Sequence, residues 1–262
     1  MKSIVEAKRI VFKVGSSTLT HENGKLNLRR IEKLVTVLSD LKNMGKEVVL
    51  VSSGAISAGC GRVGADKRPD DTPGKQAMAA IGQSELMRVY EHYFSMFGQV
   101  IGQILITKEE IDNPKVKQNA HNTFDRLLSM GCIPIVNEND SMSFAEIEFG
   151  DNDTLSAVVA TVCSADSLVI LSDIDGLYDA DPRSNPDAML IPVVTELTDE
   201  IIACAGGAGS NRGTGGLITK LHAAEITMPA GIPMYIVNGN DPAILYDLCE
   251  GKKRGTYFAP IS

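Results

Sequence analysis

No tryptophan occurs among the 262 residues, and the five cysteines (Cys60, Cys132, Cys163, Cys204 and Cys249) form no CxxC pair. An odd, dispersed set of this kind reads as free thiols and excludes a disulfide-built scaffold. The four histidines, His21, His92, His121 and His222, lack the spacing of metal ligands, so no metal residue is assigned. No apolar run approaches the roughly 18 residues of a membrane span, and the start, Met1-Lys2-Ser3-Ile4-Val5-Glu6, has no apolar signal-peptide core. A cytoplasmic protein without a membrane partner is expected. The formal charge is −8, and Lys252-Lys253-Arg254 is the longest basic tract. That argues against nucleic acid as a partner. An anionic small substrate stays open, provided a few lysines and helix starts concentrate positive potential locally.

What the chain does have is a composition of ordinary globular type, 44% hydrophobic and 22% charged. Its length suits one large α/β domain or two small ones. Short, nearly continuous apolar runs at 9–14, 47–51, 99–106, 133–136, 167–171 and 233–237 read as strands covered on both faces. Helical patterns occupy 28–44, 75–97, 115–130, 154–163, 217–229 and 242–248, several closing on glycine at Gly45, Gly98 and Gly131. The alternation predicts a three-layer αβα sandwich around a mainly parallel open sheet. Asn23-Gly24 predicts a hairpin tip, and 141–149 a second hairpin or a lid. With no repeat and no polar linker, a single domain over 1–262 is expected.

Ligands of open α/β sheets gather beyond the carboxyl ends of the strands, so the loops there hold the candidate chemistry. Lys13, in Phe12-Lys13-Val14-Gly15-Ser16, leaves a buried strand and is costly without a partner. Lys220 lies one turn inside a helix that opens on Gly213-Thr214-Gly215-Gly216, a phosphate cradle that lacks Walker A spacing. Two converging ammonium groups suit a phosphoryl group in transfer. Ser52-Ser53-Gly54-Ala55 reads either as a capped helix start or as an anion cradle. Asn137-Glu138-Asn139-Asp140 and Gly150-Asp151-Asn152-Asp153 are denser in polar groups than turns require, although capping explains part of that density. Ser172-Asp173 and Asp175-Gly176-Leu177-Tyr178 read as turns or as a nucleotide edge. No G-x-G-x-x-G follows the first strand, which removes a dinucleotide-dependent dehydrogenase.

These motifs, in this order and over about residues 8 to 258, resemble the amino acid kinase family. The pairing of Asn-Glu-Asn-Asp with Gly-Asp-Asn-Asp is most similar to its glutamate-phosphorylating branch. The resemblance implies transfer of the ATP γ-phosphoryl group to the side-chain carboxylate of L-glutamate, the entry step of proline biosynthesis. It implies Lys13 and Lys220 flanking the transferring group with Asp153 holding them. Ser53, Gly54, Asp140, Asp151 and Asn152 would bind glutamate. Lys13, Ser172, Asp173 and the run Thr214, Gly215, Gly216, Leu217, Ile218, Thr219 and Lys220 would bind ATP, with Mg²⁺ on its phosphates. The N-terminal half would then serve the amino acid and the C-terminal half the nucleotide. Relatives often carry a C-terminal domain of the PUA type, which is not expected here. Feedback by L-proline, a homo-oligomer and a reductase that consumes the labile product are further expectations. The competing readings are a kinase of the same fold acting on aspartate, N-acetylglutamate, carbamate or a nucleoside monophosphate, and a catalytically silent sensor.

Overall fold

The computed structural model describes residues 4–21, 23–107, 111–142, 152–180, 182, 185–206 and 216–261. Within them the strands are β1 (Arg9–Val14), β2 (Glu47–Val51), β3 (Val100–Ile106), β4 (Cys132–Glu138), β5 (Ser167–Ser172), β6 (Val193–Val194), β7 (Met234–Asn238) and β8 (Thr256–Phe258). They form one sheet in the order β3-β4-β2-β1-β5-β7-β8-β6. Every pairing is parallel except β7 with β8. The helices are α1 (Ser16–Leu19), α2 (Leu28–Asn43), α3 (Ala55–Val63), α4 (Thr72–Met96), α5 (Pro114–Ser129), α6 (Asn152–Val162), α7 (Asp199–Gly206), α8 (Leu217–Thr227) and α9 (Ile244–Cys249).

The period-two geometry of β1 sorts its side chains between two cores. Ile10, Phe12 and Val14 pack with residues of α2, α4 and α9 on one face. Val11 packs with residues of α5, α6 and α8 on the other. Lys13 shares the parity of Val11 and therefore points toward α6 and α8. The three-layer expectation is met, and β1 sits in the middle of the sheet.

The chain order creates the crevice. It leaves β1 toward β2, fills that flank with β3 and β4, then returns to β5 on the opposite side of β1. Ligand sites of open sheets lie at such a reversal. The expected tip at Asn23-Gly24 is also present: His21 N donates to Lys25 O at 2.8 Å, and Thr20 bridges Leu26.

One expectation is not met. Strand β3 is not covered on both faces: it is a sheet edge, and Val100 is 60% exposed. Its hydrophobicity matched that of a central strand, and only topology separates the two. Helix α7 and strands β6 and β8 were not anticipated, being too short to show a period. Most of the expected lid at 141–149 lies outside the described residues.

Candidate active site

Helix α6 begins at Asn152 with its first turn over the carboxyl ends of β1, β2 and β4, and Asp153 is its second residue. The Asp153 side chain is fully buried. Lys13 Nζ lies 2.5 Å from its Oδ1, and Lys220 Nζ lies 2.9 Å from its Oδ2. Thr219 Oγ1, in the first turn of α8, donates to Oδ2 at 3.1 Å. Lys13 and Lys220 are themselves 6% and 5% exposed, so all three charges sit largely out of water. Burial by itself would raise the Asp153 carboxyl. The ammonium groups of Lys13 and Lys220, by charge and by hydrogen bond, outweigh it and hold the group well below the usual carboxylate range. Two ammonium groups against one carboxylate leave a surplus of one positive charge on the three side chains.

Next to this triad lies a polar cleft lined by Ser16, Ser53, Gly54, Asn137, Asp140, Asn152 and Arg68, with the start of α3. Gly54 caps α3 with φ of +92°, a left-handed conformation that glycine adopts without strain, and no side chain caps the helix. The first-turn N–H groups of α3 are therefore without a side-chain cap at the cleft wall.

The amide of Asn152 is oriented by a chain of hydrogen bonds. Its Nδ2 donates to Ser52 O at 2.5 Å, to Asn137 Oδ1 at 2.8 Å and toward Ser53 Oγ at 3.1 Å. Asn137 Nδ2 in turn donates to Gln83 Oε1 on α4 at 2.8 Å. Ser52 Oγ pairs with the buried Tyr90 hydroxyl at 2.9 Å. All donor capacity of Asn152 is thus spent on protein. Its buried Oδ1 has no hydrogen-bond partner among the described residues. An acceptor in that position, in a cleft that also holds Asp140, suits an ammonium group.

On the other flank, Ser172 ends β5 beside Asp173, its Oγ 3.3 Å from Asp173 Oδ1. Ser172 is in register with Asn238 of β7, whose Nδ2 donates to Asp175 Oδ1 at 2.8 Å. The Tyr178 hydroxyl donates to Asp175 Oδ2 at 3.2 Å. Helix α8 starts at Leu217 after Gly216, again with no side-chain cap. Leu217 and Ile218 therefore present first-turn N–H groups of the kind that bind phosphate.

The structure brings Lys13, Asp153, Thr219 and Lys220 into one cluster, and Ser53, Gly54, Asp140 and Asn152 into the adjoining cleft. Ser172, Asp173, Gly216, Leu217 and Ile218 lie at the carboxyl end of β5 and the start of α8. Asp151, Thr214 and Gly215 lie outside the described residues, as do Gly213, Asp181 and Arg183. Sequence reasoning assigned no role to Gln83, Asn137 or Arg68. Asn137 stood inside a recognised motif, but only its position between Gln83 and Asn152 shows its part.

A family model described as the amino acid kinase family matches residues 8–238. The chain belongs to the amino acid kinase family. It is 54% identical over 261 residues to a protein named glutamate 5-kinase from Clostridium perfringens, covering 98% of this chain and 97% of that protein. A glutamate 5-kinase from Clostridium tetani is 54% identical over 256 residues, with 98% and 96% covered. One from Listeria innocua is 50% identical over 262 residues, with 98% and 95% covered. The crystal structure of UMP kinase from Bacillus anthracis shares the fold, with a TM-score of 0.64 at 17% identity over 98% of this chain and 97% of that one.

Proposed function

We propose that this chain catalyses ATP-dependent phosphorylation of the side-chain carboxylate of L-glutamate, giving L-glutamyl 5-phosphate and ADP, the first step of proline biosynthesis. The observation that carries the reading is the joint hold of Lys13 and Lys220 on Asp153, next to a polar cleft that Ser53, Asp140 and Asn152 line. An oxygen of the acceptor carboxylate attacks the γ-phosphorus. The bond from phosphorus to the β,γ-bridging oxygen breaks, and ADP leaves with its electron pair. No general base is required, because a glutamate carboxyl with an ordinary value of about 4.3 is already ionised at neutral pH. The obstacle is repulsion between two anions, which positioning and charge neutralisation overcome. Lys13 and Lys220 neutralise the transferring group, and Asp153 fixes their separation.

In the cleft, Ser53, the Gly54 turn, Asp140 and Asn152 hold glutamate, with Asp151 contributing from the segment preceding α6. The nucleotide takes Ser172, Asp173, Lys13 and the run Thr214 to Lys220. Mg²⁺ enters as part of the Mg·ATP substrate. Among the described residues no group of three His, Cys, Asp or Glu is arranged as a metal site, and Asp153 is committed to its lysines. The single sheet running from β3 to β6 supports one kinase domain, with the acceptor on the side of β2 and β4 and the nucleotide on the side of β5 and β7.

The wider setting follows from the same reading. A cytoplasmic location accords with the lack, among the described residues, of any helix long and apolar enough to cross a membrane. L-Proline shares the ammonium and α-carboxylate of glutamate and is assigned to the same cleft as an inhibitor. The exposed apolar residues Met96, Phe97, Val100 and Leu105, on α4, its C-terminal cap and the edge strand β3, favour a homo-oligomer. An acyl phosphate is labile, and a reductase that takes it over fits that chemistry.

The test is hydroxylamine trapping of the acyl phosphate with glutamate, aspartate and N-acetylglutamate as acceptors, each with and without proline. Hydroxamate from glutamate alone, suppressed by proline, is expected. Preferential product from another acceptor would replace the reading.

A further inference from the structure

We propose that Arg68 recognises the α-carboxylate of the acceptor amino acid and so makes the site selective for α-amino acids over simple carboxylic acids. The proposal rests on the reading that the acceptor is glutamate. That molecule carries one ammonium and two carboxylates. The reacting carboxylate belongs with Lys13 and Lys220, and the ammonium with Asp140 and Asn152 Oδ1. One carboxylate is then left over, and a cleft containing Asp140 would repel it unless a cation stood nearby.

Arg68 is the one cation among the described residues lining the cleft. It lies on the loop joining α3 to α4, and its guanidinium is committed to nothing else: it makes no hydrogen bond or ion pair among the described residues. The two acidic residues that follow it in the loop are engaged elsewhere. Asp70 pairs with Lys67 at 3.4 Å, and Asp71 Oδ2 accepts from Gly74 N at 3.0 Å to cap α4. Arg68 lines the cleft together with Ala55, Ile56 and Ser57, the first turn of α3. A planar guanidinium with five donors matches a carboxylate in a two-pronged way that an ammonium cannot. The uncapped first turn of α3 adds N–H groups to the same anion. Arg68 was invisible as a site residue because the segment 64–71 looks like an ordinary charged, proline-containing connection.

The test compares glutamate with 4-aminobutanoate, which keeps the amine and the reacting carboxylate and lacks only the α-carboxylate. It is read as a substrate and as a competitive inhibitor, in the wild-type enzyme and in Arg68→Ala and Arg68→Lys. In Arg68→Ala, kcat/KM for glutamate should fall about 10- to 100-fold, mostly through KM. The KM for ATP and every constant for 4-aminobutanoate should stay within about twofold of wild type by the same scale. Arg68→Lys should recover part of the loss. An unchanged glutamate KM in Arg68→Ala, or equal losses for both compounds, overturns the proposal. A wild-type enzyme that does not phosphorylate glutamate overturns the functional reading together with it, whereas normal glutamate turnover with an indifferent Arg68 overturns only this inference.

Discussion

Lys220 and Asp153 are 67 positions apart in the chain, yet Lys220 Nζ stands 2.9 Å from Asp153 Oδ2. The crossing of α6 and α8 over one sheet face makes that meeting possible, and Lys13 completes it from the sheet itself. The result is a carboxylate spanned by two cations, rigid because all three groups are buried. Rigidity matters here because a phosphoryl group in transfer is stabilised by charges already in place.

Replacing Asp153 with Asn should cost stability as well as activity. The two ammonium groups would remain buried with no full negative charge between them, and breaking a buried ion pair from one side costs about 3–5 kcal/mol. Urea denaturation should show a lower midpoint with an unchanged slope. A variant as stable as wild type would mean that Asp153 is not what accommodates the lysines.

The acid limb of the stability curve should also carry the mark of Asp153. Its folded value is depressed below the roughly 3.9 of an unfolded aspartate, so the unfolded chain takes up the proton first. Its contribution is complete above the unfolded value and is lost as pH falls toward the folded one. Wild type should lose stability below about pH 4 more steeply than Asp153→Asn, and the two slopes should match near neutrality. Parallel acid limbs would contradict the depressed value.

Gln83 accepts from the Asn137 amide at 2.8 Å and so acts on Asn152 through Asn137, which makes it a positioning residue. Gln83→Leu removes the acceptor that fixes the Asn137 amide, which loosens one of the contacts that orient Asn152. At about 1 kcal/mol for such a bond, the KM for glutamate should rise about fivefold with kcat nearly unchanged. Gln83→Glu keeps the acceptor and should recover most of the loss. A fall in kcat with KM unaltered would assign Gln83 a different role.

Much of this architecture can be read from residues alone, and the limit is physical. Strands β1 and β2 match their expected bounds because buried parallel strands are continuous apolar runs. Lys13 and Lys220 stand out because a charge in apolar surroundings demands a partner. The register of β1 supplies what the sequence lacked, the fact that Lys13 faces α6 and α8 and not α2 and α4. Gln83 and Asn137 are 54 residues apart, and no local pattern joins them. Arg68 lies in a loop whose position over α3 is purely tertiary.

Helix α4 approaches α3 so closely that Gly82 tolerates no side chain. A Cβ there would lie 1.7 Å from Ala55 O, at the first residue of the helix that walls the cleft. Gly82→Ala should destabilise by about 1–3 kcal/mol, as overpacking does. It should also raise the KM for glutamate, because α3 must shift. A stable variant with wild-type kinetics would show that the two helices can separate without disturbing the site.

The most direct test of the central claim is the single-turnover rate of glutamyl phosphate formation in Lys13→Ala and Lys220→Ala, with ATP and glutamate binding measured in parallel. Loss of one preorganised charge should slow the chemical step about 100- to 1000-fold in each variant, with both substrates still bound. Phosphoryl transfer at the wild-type rate in either variant would contradict the account.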